Sequence, residues 1–393
     1  METKILPNRR ATLTLSAGHF ILDNYSSFIT PILPLLVLKL NTTMAAITAI
    51  LSIGHLCSSL SQPIFGHIAD NWKRRFFLIF GLIFGSVFYS IIGIVPNLWC
   101  LAVCIAIGSL GSGFYHPQAT GMMAIFSHKE TAVKEMGIFL ACGTLGYSLG
   151  PVISSSVANF WGIEYLPYTV IAGLLCMLCV LKFVPKISDK FKNNEEKPPF
   201  LKSVNTILKD RTMRILLMIA TFKSMVSMLF STFTPFLWTK QGFSTIEIGI
   251  LIFIFLGISA FGTYSSPYFE GKFGTIKTFK ISMMSSFPLA ILYFATYKYF
   301  PVYSLVFYFL AGYTAMLSVS INMVLAQKHM PEFKSIIAGF IGGVSWGLVG
   351  ICLGLFGVIA QYAGISTLII SMTAIPFVCS YLLKYLPKDE VRG

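Results

Sequence analysis

Apolar runs of membrane-crossing length recur along almost all of this 393-residue chain, and that rhythm limits the fold more than any other feature. They fall near 11–38, 44–68, 76–95, 98–126, 134–158 and 163–184, then near 212–238, 246–268, 275–296, 301–327, 335–361 and 364–386. A helix needs about 20 apolar residues to cross roughly 30 Å of hydrocarbon. With no water at that depth, a spanning segment must satisfy its own backbone, which a helix does. The expected fold is an all-α membrane protein with twelve transmembrane helices in two pseudo-symmetric six-helix bundles. Only 11% of the residues are charged, under half the share of about 25% that a hydrated surface uses.

The few charges are unevenly placed. Lys and Arg number 29 against 15 Asp and Glu, a net charge of +14. The excess lies in short connections: the N-terminus, Lys73-Arg74-Arg75, Lys129 and Lys134, the middle of the chain, Lys272 and Lys277, Lys328 and Lys334, and the tail. The opposite connections hold Lys39, Lys240, Lys298 and little else. Cytoplasmic loops collect positive charge, so both termini are expected in the cytoplasm and the protein in the cell (inner) membrane. The same distribution argues against a nucleic-acid partner, which would need one basic soluble face. The eight cysteines sit in or beside apolar runs without paired metal-site spacing and read as small buried hydrophobes. The basic start and first apolar run resemble a signal peptide. The run is too long, carries His19 and Asp23 and has no small-residue cleavage site, so it is read as the first span.

One polar stretch, Pro185 to Arg211 with SDKFKNNEEKPP inside it, divides the chain into near-equal halves. The expected organisation is a six-helix bundle over 1–184, a solvated cytoplasmic linker over 185–210 and a second bundle over 211–393. The first span of each half carries a charge near its middle, Asp23 in one and Lys223 in the other. A repeated six-helix unit with a solute site near the bilayer midplane is a transporter plan.

Charges at that depth cost several kcal/mol unless they face a polar cavity or a partner. His19 precedes Asp23 by one helical turn, so both share a face, with Tyr25 and Ser26 nearby. Two readings stand for Asp23: a carrier that takes up and releases a proton with help from His19, or a permanent structural pair. Lys223 is either its partner from the other half or a positive charge offered to an anionic solute. On span 4, His116 and Gln118 flank Pro117, which frees a carbonyl one turn back. With Tyr25, and with Gln62 on span 2, they are candidate solute contacts; His55 is a weaker one. Trp99, Trp161 and Trp238 fall near expected interfaces, where amphipathic rings settle. Trp346, among Gly342, Gly343, Gly347 and Gly350, belongs to a close-packing surface.

Two motifs are more specific. Gly66 to Arg75, GHIADNWKRR, places Asp70 four residues after Gly66 and ahead of a basic cluster that includes Arg74. It resembles the loop 2–3 signature of the major facilitator superfamily, apart from Lys73 where a glycine is usual. Gly137, Gly146, Gly150 and Pro151 on span 5 look like the signature associated with antiporters of that superfamily, with Ser154 and Ser155 where two glycines are usual. Within the superfamily the chain resembles the fosmidomycin resistance protein family over nearly its whole length. His19 with Asp23, SSLSQPIFG, GSGFYHPQA, GTLGYSLGP, Lys223 and the glycine-rich run after Met330-Pro331 carry that likeness.

The resemblance implies the major facilitator fold and proton-coupled efflux of a small, often anionic, drug or metabolite. Rocking of two halves about a central cavity would supply the movement. Gly66, Asp70, Arg74, Gly146, Gly150 and Pro151 are the expected gating residues. Proton-coupled uptake of a nutrient, siderophore or metabolite is the alternative, since the same residues serve either direction. An enzyme is not expected: the sequence shows no paired-carboxylate, metal-ligand or nucleophile–base constellation at a membrane face. No cofactor or metal is expected. The expected partners are a small-molecule substrate, protons and the lipid bilayer, and a monomer is expected, since a single chain already contains a complete pathway.

Overall fold

Helix ends follow local chemistry. Asn8 and Asn97 accept from the amides of Ala11 (3.1 Å) and Cys100 (2.9 Å) at the starts of two helices. Ser244 and Glu247 form a reciprocal capping box, with the Ser244 amide donating to Glu247 Oε2 at 2.7 Å. Pro301 occupies a first helical position, where its missing amide hydrogen costs nothing. Gly162, Gly274 and Gly364 take positive φ at junctions between helices.

The structure, a computed structural model, describes residues 7–72, 75–127, 132–186, 200–330 and 333–386. No strand occurs among them. Ten stretches are helical, long and apolar enough to cross a membrane, and an eleventh is a pair, Phe340–Ile351 and Leu353–Ala363, bent by 43°. The run expected near 44–68 lies in a 29-residue helix, Met44–Trp72, apolar over Met44–Ser59. Helix boundaries match the apolar runs to within a few residues because run length sets span length.

Two compact units divide the chain, Met1–Asn194 with Trp238–Phe253, and Glu195–Leu237 with Ile254–Gly393. The first contains α1 (Arg9–Ser26), α2 (Ile29–Lys39), α3 (Met44–Trp72), α4 (Phe76–Ser90), α5 (Leu98–Phe126), α6 (Ala132–Phe160) and α7 (Val170–Phe183). α1 is its central element, packed against α4, α5, α6 and α7. Leu15, Leu22, Leu78, Leu82, Tyr115 and Met123 form the core around it. α1 and α2 belong to one span broken at Ser27 and Phe28. Pro31 has no amide hydrogen for the Ser27 carbonyl, which instead accepts from Thr30 at 3.4 Å.

The remaining helices are α8 (Phe200–Lys209), α9 (Arg211–Lys240), α10 (Thr245–Phe273), α11 (Thr275–Thr296), α12 (Pro301–Met316), α13 (Val319–His329), α14 (Lys334–Gly339), α15 (Ser345–Ile351), α16 (Leu353–Ala363) and α17 (Ile365–Cys379). A π-helical turn, Phe340–Val344, joins α14 to α15. Ile215, Leu216, Ile219, Phe279, Ile321 and Leu325 centre the core of the second unit. α8 lies inside the stretch expected as a solvated loop. FLKSVNTILK is amphipathic, and α8 buries Ser203 and Ile207.

Side chains within the spans satisfy themselves locally. Ser16, Thr48 and Ser224 each donate to the carbonyl one turn back, at 2.8–3.0 Å, where no water competes. Trp99 and Trp161 are exposed, as interfacial rings require. Trp238, expected beside them, is only 1% exposed and packs inside the protein.

Candidate functional site

Asp23 lies on α1 just ahead of the break at Ser27, its backbone carbonyl accepting from Ser26 Oγ at 2.8 Å. Its two carboxylate oxygens go to different histidines. Oδ2 is 3.2 Å from His19 Nε2, one turn back on α1, and Oδ1 is 2.9 Å from His116 Nε2 on α5. The imidazole rings meet edge-on with centroids 4.9 Å apart. Side-chain exposure rises from 10% for His19 through 16% for Asp23 to 27% for His116, so the cluster is sheltered but open along one side.

α6 closes the opposite side. His19 Nδ1 is 2.9 Å from the Phe139 carbonyl, and the Phe139 ring lies against the imidazole with centroids 4.2 Å apart. Gly143, one turn on, leaves room for the ring: a Cβ there would stand 2.4 Å from His19 Cε1 and Nε2. Gly146 and Gly150 continue the contact. A Cβ at 146 would meet the Phe20 carbonyl oxygen at 2.1 Å, and one at 150 would meet Ser27 Oγ at 2.0 Å. The Gly146 carbonyl accepts from Asn24 Nδ2 at 3.2 Å. The glycines of span 5 therefore let α6 lie directly on α1 where Asp23 projects. Ser154 and Ser155 are both buried, and Gly249 of α10, in the same unit, leaves room for Ser155: a Cβ at 249 would stand 1.9 Å from Ser155 Oγ and 2.6 Å from the Pro151 carbonyl oxygen.

The hydrogen bonds constrain where a proton can sit in this cluster. A carbonyl only accepts, so the Phe139 contact assigns the hydrogen of His19 to Nδ1. In a neutral ring Nε2 then presents a lone pair to the Asp23 carboxylate. That 3.2 Å contact is attractive only with a proton between the two atoms. His116 Nε2 is the donor to Oδ1, since a carboxylate oxygen only accepts. One proton added to a carboxylate flanked by two neutral rings gives a cluster of no net charge; without it the charge is −1, which is costly inside a membrane. One nitrogen from each of His19 and His116 and a carboxylate oxygen of Asp23 all lie within 4.8 Å of one another, close enough to meet at a single metal ion, a ligand set that the sequence did not lead one to expect.

Other expected site residues are placed differently. Tyr25 is buried: its hydroxyl donates to the Thr169 carbonyl and accepts from the Gly173 amide at 3.2 Å, tying α1 to the start of α7. Gln118 is also buried, its Oε1 accepting at 2.8 Å from the amide of Leu78. That amide belongs to the first turn of α4, where no intrahelical acceptor exists, so Gln118 acts as a cap supplied by a neighbouring helix. Each of these expected solute contacts thus also bonds to the backbone of a neighbouring segment. α5 runs unbroken through Pro117. Gln62 and His55 are half-buried on α3. Gly66 and Asp70 lie within α3, while Arg74 lies outside the described residues. Its neighbour Arg75 donates to the carbonyls of Leu181 (2.7 Å) and Val184 (2.6 Å), placing a cation at the C-terminus of α7.

Lys223 lies on α9 in the second unit, 7% exposed. It lines a small cavity with Ser282, Ser286 and Ser318, walled by Phe222, Val226 and Met283.

Sequence reasoning did not identify Phe139 and Gly143 as part of the Asp23 cluster. The spacing of Gly143, Gly146 and Gly150, three then four residues apart on one helical face, is the signal that could have found them.

The Major Facilitator Superfamily family model matches residues 15–355. The fosmidomycin resistance protein of Escherichia coli (strain K12) is 23% identical over 381 residues, covering 96% of this chain and 92% of that protein. Multidrug resistance protein MdtG of Escherichia coli is 25% identical over 219 residues, covering 54% of this chain and 53% of its own. Among solved structures, the nucleoside transporter NupG superposes with a TM-score of 0.80 at 14% identity, covering 95% of this chain and 99% of its own. At that identity the likeness concerns the fold.

Proposed function

We propose that this chain, which belongs to the major facilitator superfamily, exports a small anionic solute in exchange for protons. As a member it is a multi-pass membrane transporter of small molecules. The observation that carries the coupling is the Asp23 carboxylate held between His19 and His116. Names of two relatives, resistance to fosmidomycin and to multiple drugs, support export.

In this reading Asp23 carries the proton and His19 shares it. His116 holds the second carboxylate oxygen and orients the group. Lys223 attracts the anionic solute. Loss of the proton leaves the cluster negative, which disfavours a second anion nearby; its return removes that barrier. By charge alone proton and anion favour each other's binding; exchange therefore requires that the two halves change access with the proton or the anion bound, and not with both. Both termini would lie in the cytoplasm, and the helices before residue 185 and after residue 210 would move as the two working halves. Gly146, Gly150 and Pro151 would set the packing between α1 and α6 as access alternates; Gly66, Asp70 and Arg74 would latch the loop between α3 and α4.

The test uses purified protein in liposomes with a pH-sensitive dye inside and an imposed pH gradient. Phosphonates and organic anions are added singly, fosmidomycin among them. Solute-dependent proton release is expected from the native protein and none from Asp23→Asn, with helicity and insertion unchanged. If Asp23→Asn still drives solute uphill, Asp23 is not the carrier. Energised inside-out vesicles give the direction: an exporter fills them, whereas an importer leaves them empty.

A further inference from the structure

Most buried polar groups of the second unit are matched to one another. Asn322 Nδ2 donates to the Leu216 carbonyl at 3.0 Å, and Ser224 Oγ donates to the Ala220 carbonyl at 3.0 Å. Partners are missing around Lys223, as they are for Ser259, Ser266 and Asn322 Oδ1 elsewhere among the described residues of the unit. The lysine is 7% exposed, and among the described residues neither an acid nor a hydrogen-bond acceptor meets its ammonium group. Ser286 Oγ, one turn past Ser282 on α11, is buried in the same cavity with no partner among the described residues. Buried polar groups are ordinarily paired, and a buried cation without a counter-charge is costly.

The walls suit one kind of occupant. Ser282 Oγ lies between the Ala315 carbonyl at 3.1 Å and Ser318 Oγ at 2.9 Å, which fixes the hydroxyls on that side. Ser318 stands at the break between α12 and α13, so the positive end of α13 begins at the cavity wall. Phe222, Val226, Met283 and Pro376 supply apolar contact. No carboxylate lines the cavity, so a cation finds no ligand there. The volume is about 10 Å³, close to one water-sized group.

We propose that Lys223 and Ser286 form a binding site for a single small anionic group, met by the ammonium charge and the serine hydroxyl together. A free halide and the terminal carboxylate or phosphonate oxygen of a solute share that chemistry. The proposal supplies the recognition chemistry for the role of Lys223 in export, and so rests on that reading for its purpose; binding itself is measured without transport.

Full-length protein in detergent, held at constant ionic strength with gluconate, is titrated with bromide, chloride, acetate and methylphosphonate, and its melting temperature is followed. A saturable rise is expected with at least one of these anions. Bromide or chloride acting alone identifies a free-ion site, and acetate or methylphosphonate acting alone identifies a solute subsite. Ser286→Ala is expected to weaken the response about tenfold, and Lys223→Gln to abolish it. Should Lys223→Gln fail to fold, Ser286→Ala and Lys223→Arg decide: the arginine variant keeps the charge and is expected to retain binding. Native protein indifferent to all four anions overturns the proposal, as does a response that survives unchanged in both Ser286→Ala and Lys223→Gln. Anion binding that persists in Asp23→Asn, together with lost proton exchange, separates this site from the proton carrier.

Discussion

Gly143→Ala tests the proton cluster without touching a titrating residue. The added methyl would stand 2.4 Å from His19 Cε1 and Nε2, and ordinary contact begins near 3.4 Å, so the ring must retreat by about 1 Å. His19 is held at both nitrogens, at 2.9 Å to the Phe139 carbonyl and 3.2 Å to Asp23, and a rigid ring cannot move that far and keep both. Losing the charge-assisted bond to Asp23 costs about 1.5–3 kcal/mol, roughly ten- to hundredfold in occupancy of the bridging proton. Gly121→Ala is the control. It is the same chemical change on α5, but nothing lies within 4 Å of its added Cβ, and a helical glycine replaced by alanine gains about 0.5–1 kcal/mol. Both variants are reconstituted and assayed for solute-dependent proton release, with melting temperature as a check on folding. The expectation is at least a tenfold loss for Gly143→Ala and none for Gly121→Ala. Native rates from Gly143→Ala would refute the claim that this ring position holds the proton.

Tyr25→Phe leaves the Thr169 carbonyl and Gly173 amide without their hydroxyl partner, so stability is expected to fall by about 1–3 kcal/mol while transport per folded molecule stays unchanged. Thermal melting alongside liposome rates checks both halves of that statement. Asp210→Ala removes the carboxylate that accepts from the Met213 amide at 2.8 Å and stands 3.1 Å from His329 Nε2. A loss of about 1 kcal/mol is expected from the missing cap, measured as a lower unfolding midpoint.

The spans were legible because membrane thickness turns run length directly into helix length. The His19–Asp23 pair was legible too, since a four-residue spacing on a helix determines which side chains meet. His116 joins that pair across 93 positions of sequence, and only helix packing reveals it. Tyr25 and Gln118 show the opposite limit. Each is a polar residue close in sequence to the cluster, yet a small rotation about the helix axis decides between open space and a neighbour's backbone. The breaks in spans 1 and 10 were not read from the sequence: Pro31 accounts for the first, but Leu317 and Ser318 interrupt span 10 without any proline to announce it. α8 was hidden by its setting, since ten amphipathic residues are too short to span and were absorbed into a polar stretch.

A carboxylate is flat, and its oxygens cannot be re-aimed one at a time. The torsion that swings Asp23 Oδ2 off the α1 histidine also swings Oδ1 off the α5 histidine. Intermediate settings lose both partners together, so the contacts to α1 and α5 break as one.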